Sequence, residues 1–78
     1  MARKNAPDVV FSRRLKFAMW MADMTGKQLA TKIGVAQPQV SKYATGRGYP
    51  KIEHLTAICR VLGVSSDYLL GLSDKMEV

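Results

Sequence analysis

Cysteine occurs once in this chain, at Cys59, and histidine once, at His54. A single thiol closes no internal disulfide, and one thiol with one imidazole falls short of a four-ligand zinc site. Acidic residues are also few: six, against twelve lysines and arginines. No cluster of carboxylates, and no Ser, Cys or Glu constellation around His54, points to general acid–base or nucleophilic chemistry, so no enzyme activity and no cofactor are expected. No apolar run approaches the roughly 20 residues that span a bilayer. Met1-Ala2-Arg3-Lys4-Asn5-Ala6-Pro7-Asp8 has charges but no apolar segment behind them, unlike a secretory signal. With a lone thiol, the composition fits a reducing cytoplasm.

The shortage of acids is most informative in its placement. From Thr25 to Lys51 there is none, whereas Lys27, Lys32, Lys42, Arg47 and Lys51 all fall there. The net charge of +6 is thus concentrated on one stretch. A surface of one sign favours a polyanion, because each phosphate it neutralises releases condensed counterions.

Seventy-eight residues make one small domain. Residues 1–8 read as a mobile N-terminal arm, 9–72 as the folded domain and 73–78 as a C-terminal tail. Asp8 can cap a first helix from Val9 to Ala22, in which Phe11, Leu15, Ala18 and Ala22 recur at helical spacing. Thr25-Gly26-Lys27-Gln28 has the form of a capping box and opens a short second helix that stops at Gly34. Val35 and Ala36 lead to a third, from Gln37 to Thr45, closed by Gly46; Pro38 is tolerated in its first turn. After the loop Arg47-Gly48-Tyr49-Pro50, a fourth helix aligns Ile52, Leu55, Ile58, Cys59 and Leu62 on one face and ends at Gly63. Cys59 on that face reads as a small buried hydrophobe. Ser65 caps a fifth helix that ends at Gly71. Nothing alternates like a strand, so the fold class is all-α.

Two helices of about two turns joined by Gly34-Val35-Ala36 cross steeply, with Ala30 allowing close approach and Ile33, Val35 and Val40 filling the angle. Gln37, Pro38, Ser41, Lys42 and Thr45 are then left on the outer face of the second of the pair. A major groove about 12 Å wide admits such a helix; Gln can bond an adenine edge twice, and Lys can donate to guanine O6 and N7.

The segment Thr25-Gly-Lys-Gln-Leu-Ala-Thr-Lys-Ile-Gly-Val-Ala-Gln-Pro-Gln-Val-Ser-Lys-Tyr-Ala-Thr-Gly46 resembles the helix-turn-helix of phage repressor and Cro-type regulators, the lambda-repressor-like, XRE-type family. The likeness continues through Pro50 and Ile58-Cys-Arg-Val-Leu-Gly-Val-Ser-Ser-Asp-Tyr-Leu-Leu70. It implies a five-helix domain, short like Cro or like a detached repressor N-terminal domain, that binds a roughly palindromic operator as a homodimer and regulates transcription, by repression more than activation. It further implies that Gln37, Pro38 and Lys42 read bases, with Ser41 beside them and Gln39 a weaker candidate. Phosphates are expected at Lys27, Gln28, the backbone around Thr45, Gly46 and Arg47, and Lys51. Tyr68, Leu69, Leu70 and Leu72 are expected at the dimer contact.

The chain departs from the family in three places. Gly26 stands where a phosphate-binding Gln is usual, and Ala36 where Ser or Thr caps the reading helix. Met19 and Ala44 replace an Arg–Glu pair, and losing both partners together strands no charge. Arg13, Arg14 and Lys16 read as a solvated face, and Arg3 and Lys4 as a basic arm. Phe17, Trp20 and Met21 lie on the outer flank of the first helix, more apolar surface than scattered exposure explains. They mark a second interface, and with it the competing expectation of a protein-interaction module, antitoxin-like, in which DNA binding is secondary or lost.

Overall fold

A computed structural model describes residues 9–78, the side chain of Val9 excepted. The expected arm, with Arg3, Lys4 and the cap at Asp8, lies outside the described residues. Within them the chain forms five helices and no strand: α1 (Val9–Met21), α2 (Gly26–Ile33), α3 (Gln37–Ala44), α4 (Ile52–Leu62) and α5 (Ser66–Leu70). No helix among the described residues is long and apolar enough to cross a membrane.

The inner stripes of the helices meet in one core. Phe11, Leu15 and Ala18 come from α1, Leu29, Ala30 and Ile33 from α2, and Val40 and Tyr43 from α3. Ile58, Leu62, Val64, Tyr68 and Leu69 complete it from the C-terminal half. The helix pair α2–α3 is held from two sides, since α1 packs against α3 and α4 against α2. Met19 and Ala44 are both half-buried against this core, as apolar replacements for a charge pair should be.

Several expectations are corrected. Ala22 is exposed: α1 ends at Met21, and Asp23 takes a left-handed conformation (φ 54°) that turns the chain away before Ala22 can join the stripe. Ile52 is also exposed, because it begins α4 beyond the edge of the core, while Leu55 and Cys59 are only half-buried. Burial still pushes the Cys59 thiol upward in pKa, keeping it away from the reactive thiolate.

Arg14 is not a solvated residue. Its guanidinium donates to the carbonyls of Tyr68 (2.8 Å) and Ser73 (2.7 Å) and to the Asp74 carboxylate (3.0 Å). It also lies 4.5 Å over the Tyr68 ring. One side chain from α1 thus fastens α5 and the segment after it. Gly71 makes the same junction tight: φ is 84°, and a β-carbon there would come within 2.9 Å of Val10 Cγ1. Arg14→Ala is expected to cost on the order of 2 kcal/mol in urea unfolding, since it takes the guanidinium from the Ser73 carbonyl, leaves the Tyr68 carbonyl with the Gly71 N–H alone and removes a cation–π contact. Asp74→Ala should cost far less, because that carboxylate is almost wholly in solvent.

Candidate nucleic-acid interface

The site begins with how α2 and α3 are started and stopped. The Thr25 hydroxyl accepts from the Gln28 N–H (3.1 Å), and the Thr25 N–H donates to Gln28 Oε1 (2.8 Å). This reciprocal cap fixes the first turn of α2 in the absence of acidic residues. At the other end Gly34 sits at φ 80°, ψ 31°, and its N–H returns to the Ala30 carbonyl (2.9 Å). A side chain would strain that conformation, although nothing lies within 4 Å of where its β-carbon would be. The turn therefore owes its shape to backbone freedom and not to lack of room.

On its inner side α3 is anchored by Val40 and Tyr43, both buried. Gln37, Pro38, Ser41 and Lys42 are all exposed. Together with Thr45 and Arg47 they line one shallow, open concavity. The structure therefore brings together four of the five residues expected at bases. The fifth, Gln39, is half-buried, and its Nε2 donates to the Tyr43 hydroxyl (3.3 Å), so it braces α3 from the side. Ala36 offers α3 no side-chain cap, as its methyl group requires.

The residues expected at phosphates divide into two kinds. Lys27, Arg47 and Lys51 are exposed cations. The backbone N–H groups of Thr45, Gly46 and Arg47, by contrast, already donate to carbonyls of Ser41, Tyr43 and Lys42. The Thr45 hydroxyl likewise donates to Ser41 O at 2.8 Å. These groups close α3, so at this turn the Arg47 side chain, and not the backbone, is left as an exposed donor. Gln28 Oε1 is committed to the capping box, leaving its amide nitrogen as the donor.

One residue that places this surface went unnoticed in the sequence. Tyr49 stacks on Phe11, with ring centroids 5.3 Å apart at 54°, and so ties the loop carrying Arg47 and Lys51 to α1. An aromatic between Gly48 and Pro50 in an otherwise polar loop was the available signal.

The residues expected at interfaces also divide. Leu69 is fully buried and Tyr68 nearly so, both within the core, because α5 needs them to pack on α1. Only Leu70 and Leu72 of that group present surface. Phe17, Trp20 and Met21 are all exposed, Trp20 at 73%. No group of His, Cys, Asp or Glu among the described residues could hold a metal.

Comparisons with known proteins agree with this geometry. A family model described as helix-turn-helix matches residues 20–69. A Bacillus subtilis (strain 168) protein, the uncharacterized HTH-type transcriptional regulator YobD, is 34% identical over 68 residues, which are 87% of this chain and 61% of that one. The HTH-type transcriptional activator BcrR of Enterococcus faecalis is 33% identical over 61 residues, 78% of this chain and 30% of its own length. The chain thus spans less than two thirds of either curated relative. Among solved structures, the DNA-binding domain (residues 1–76) of the P22 C2 repressor superposes with a TM-score of 0.73 at 25% identity. That match covers 83% of this chain and 88% of that domain.

Proposed function

This chain belongs to the helix-turn-helix family, and on that premise we propose that it is a non-catalytic, sequence-specific DNA-binding regulator of transcription that acts in the cytoplasm. In this reading α3 enters the major groove. Gln37 and Lys42 donate to base edges, and Pro38 and Ser41 supply close contact at the helix start. Lys27, Arg47 and Lys51 hold the flanking phosphates and set the register without reading sequence. Two copies bind a roughly palindromic operator with their reading helices about 34 Å apart, one turn of the duplex. Leu70 and Leu72, the exposed apolar residues of the α5 end, are the residues proposed for the contact between copies. Repression by occupying the operator is the simplest consequence of such binding.

The observation that carries this reading is the uncovered outer face of α3, set in a stretch of the chain with no acid. A random-duplex selection tests it. The expected result is a motif with two-fold symmetry. Lys42→Ala is expected to lose preference at one base pair per half-site, worth about 1–3 kcal/mol. Arg47→Ala is expected to weaken all sequences alike. Failure to enrich any motif at low salt would overturn the reading, and an unchanged preference profile for Lys42→Ala would remove that residue from it.

A further inference from the structure

The α1 helix has an outward face as well as an inward one. Arg13, Lys16, Phe17, Trp20 and Met21 follow one another at spacings of three, one, three and one, which places them on a single side. All five are exposed, while Phe11, Leu15 and Ala18 occupy the buried side. An ordinary surface helix is apolar on one face only. This one carries a second apolar face, with the Phe17 and Trp20 rings already paired (centroids 6.0 Å apart, 35° between planes). Among the described residues the Trp20 indole N–H has no hydrogen-bond partner.

The charge beside this face is of one sign. No acid occurs within α1. Arg14 turns to the other flank and bonds Asp74, but among the described residues Arg13 and Lys16 have no ion-pair partner. The two acids that flank the helix in sequence, Asp8 and Asp23, both fall outside its residues. A second copy of this chain would bring two more cations to the same rim. A complementary surface must offer an apolar ridge for Phe17, Trp20 and Met21, and carboxylates for Arg13 and Lys16.

We propose that this face of α1 docks an acidic amphipathic helix of another protein, one whose apolar stripe is flanked by Asp or Glu. The docking residues are separate from those that line the α3 concavity. The face runs for eight residues of rise, about 12 Å. Contact of that size belongs to weak, transient recognition. Charge complementarity sets its specificity and its salt dependence.

Trp20 is the only tryptophan in the chain and reports on its own surface. The test pans a display library of helical peptides, randomised at one apolar face and its flanks, against the full chain and reads Trp20 emission with the enriched peptides. The expected result is enrichment of acid-flanked helices that shift Trp20 emission to the blue and shield it from acrylamide. Arg13→Glu combined with Lys16→Glu should weaken them at least tenfold, and so should Phe17→Ala. Lys42→Ala should leave peptide binding unchanged, so that failure here is distinguishable from failure to read DNA. The proposal is overturned by no enrichment, by neutral or basic flanks, or by indifference to charge reversal. Shielding of Trp20 in the free protein at every concentration, self-association through this face, or preference for phosphatidylglycerol vesicles over the peptides would overturn it equally.

Discussion

Raising salt from 50 to 200 mM is expected to weaken the operator complex by about a thousandfold. Lys27, Arg47 and Lys51, all exposed, are the three cations proposed for phosphates in each protomer, hence six in a dimer. At a slope of about −0.9 per phosphate neutralised, six contacts give log K against log salt a slope near −5, and a fourfold rise in salt then costs about three powers of ten. Fluorescence anisotropy on a labelled operator measures this directly. Arg47→Ala removes two of the six and should flatten the slope by about 2, with the same motif still preferred. A slope shallower than about −2 would mean that these cations do not meet phosphates. An interaction module without DNA binding would show no such dependence on duplex concentration at all.

Leu29→Ala should have the largest effect on folding. Leu29 has no solvent exposure and sits in the core on α2, the helix held between α3 and α4. Truncation removes its transfer free energy and leaves a cavity at the centre of the core, at a cost of about 3–4 kcal/mol. A chain of this length has only about 4–12 kcal/mol of total stability, so the melting temperature should fall by roughly 12–30 °C. Leu29→Met keeps the volume and should cost under about 1.5 kcal/mol. Urea unfolding of the three proteins decides it, and equal midpoints would mean that the core is not organised around this residue. Operator affinity measured well below the midpoint should change little, because Leu29 is wholly buried while the reading residues are exposed.

These two effects also mark what could be read from the sequence. The boundaries of α2 and α3 were legible because local chemistry writes them: the Thr25–Gln28 reciprocal cap, Gly34 in its left-handed turn, and Pro38 in the first turn all act within four residues. The outer face of α3 followed from the same spacing, and the structure exposes Gln37, Pro38, Ser41 and Lys42 as expected. What failed depended on partners far along the chain. Arg14 looks like any surface arginine until Tyr68 and Ser73, 54 and 59 residues away, come to meet it. Tyr68 and Leu69 looked available for a partner because α5 has only five residues, too short for periodicity to say which side faces inward. Gln39 and the Thr45–Arg47 backbone show a subtler dependence. They were read by position, whereas the hydrogen bonds that occupy them are made within α3 and its closing turn.

The Gly34 turn carries one last implication. Its torsion angles lie in mirror-image territory for an L-amino acid, yet the space beside it is open. What restricts the residue at this turn is therefore handedness and not bulk. An L-residue would meet no obstacle there except its own stereochemistry, and its D-enantiomer would fit without strain. Ribosomal synthesis has no such enantiomer to offer, and an achiral residue makes this turn without the strain that Asp23 accepts at φ 54°.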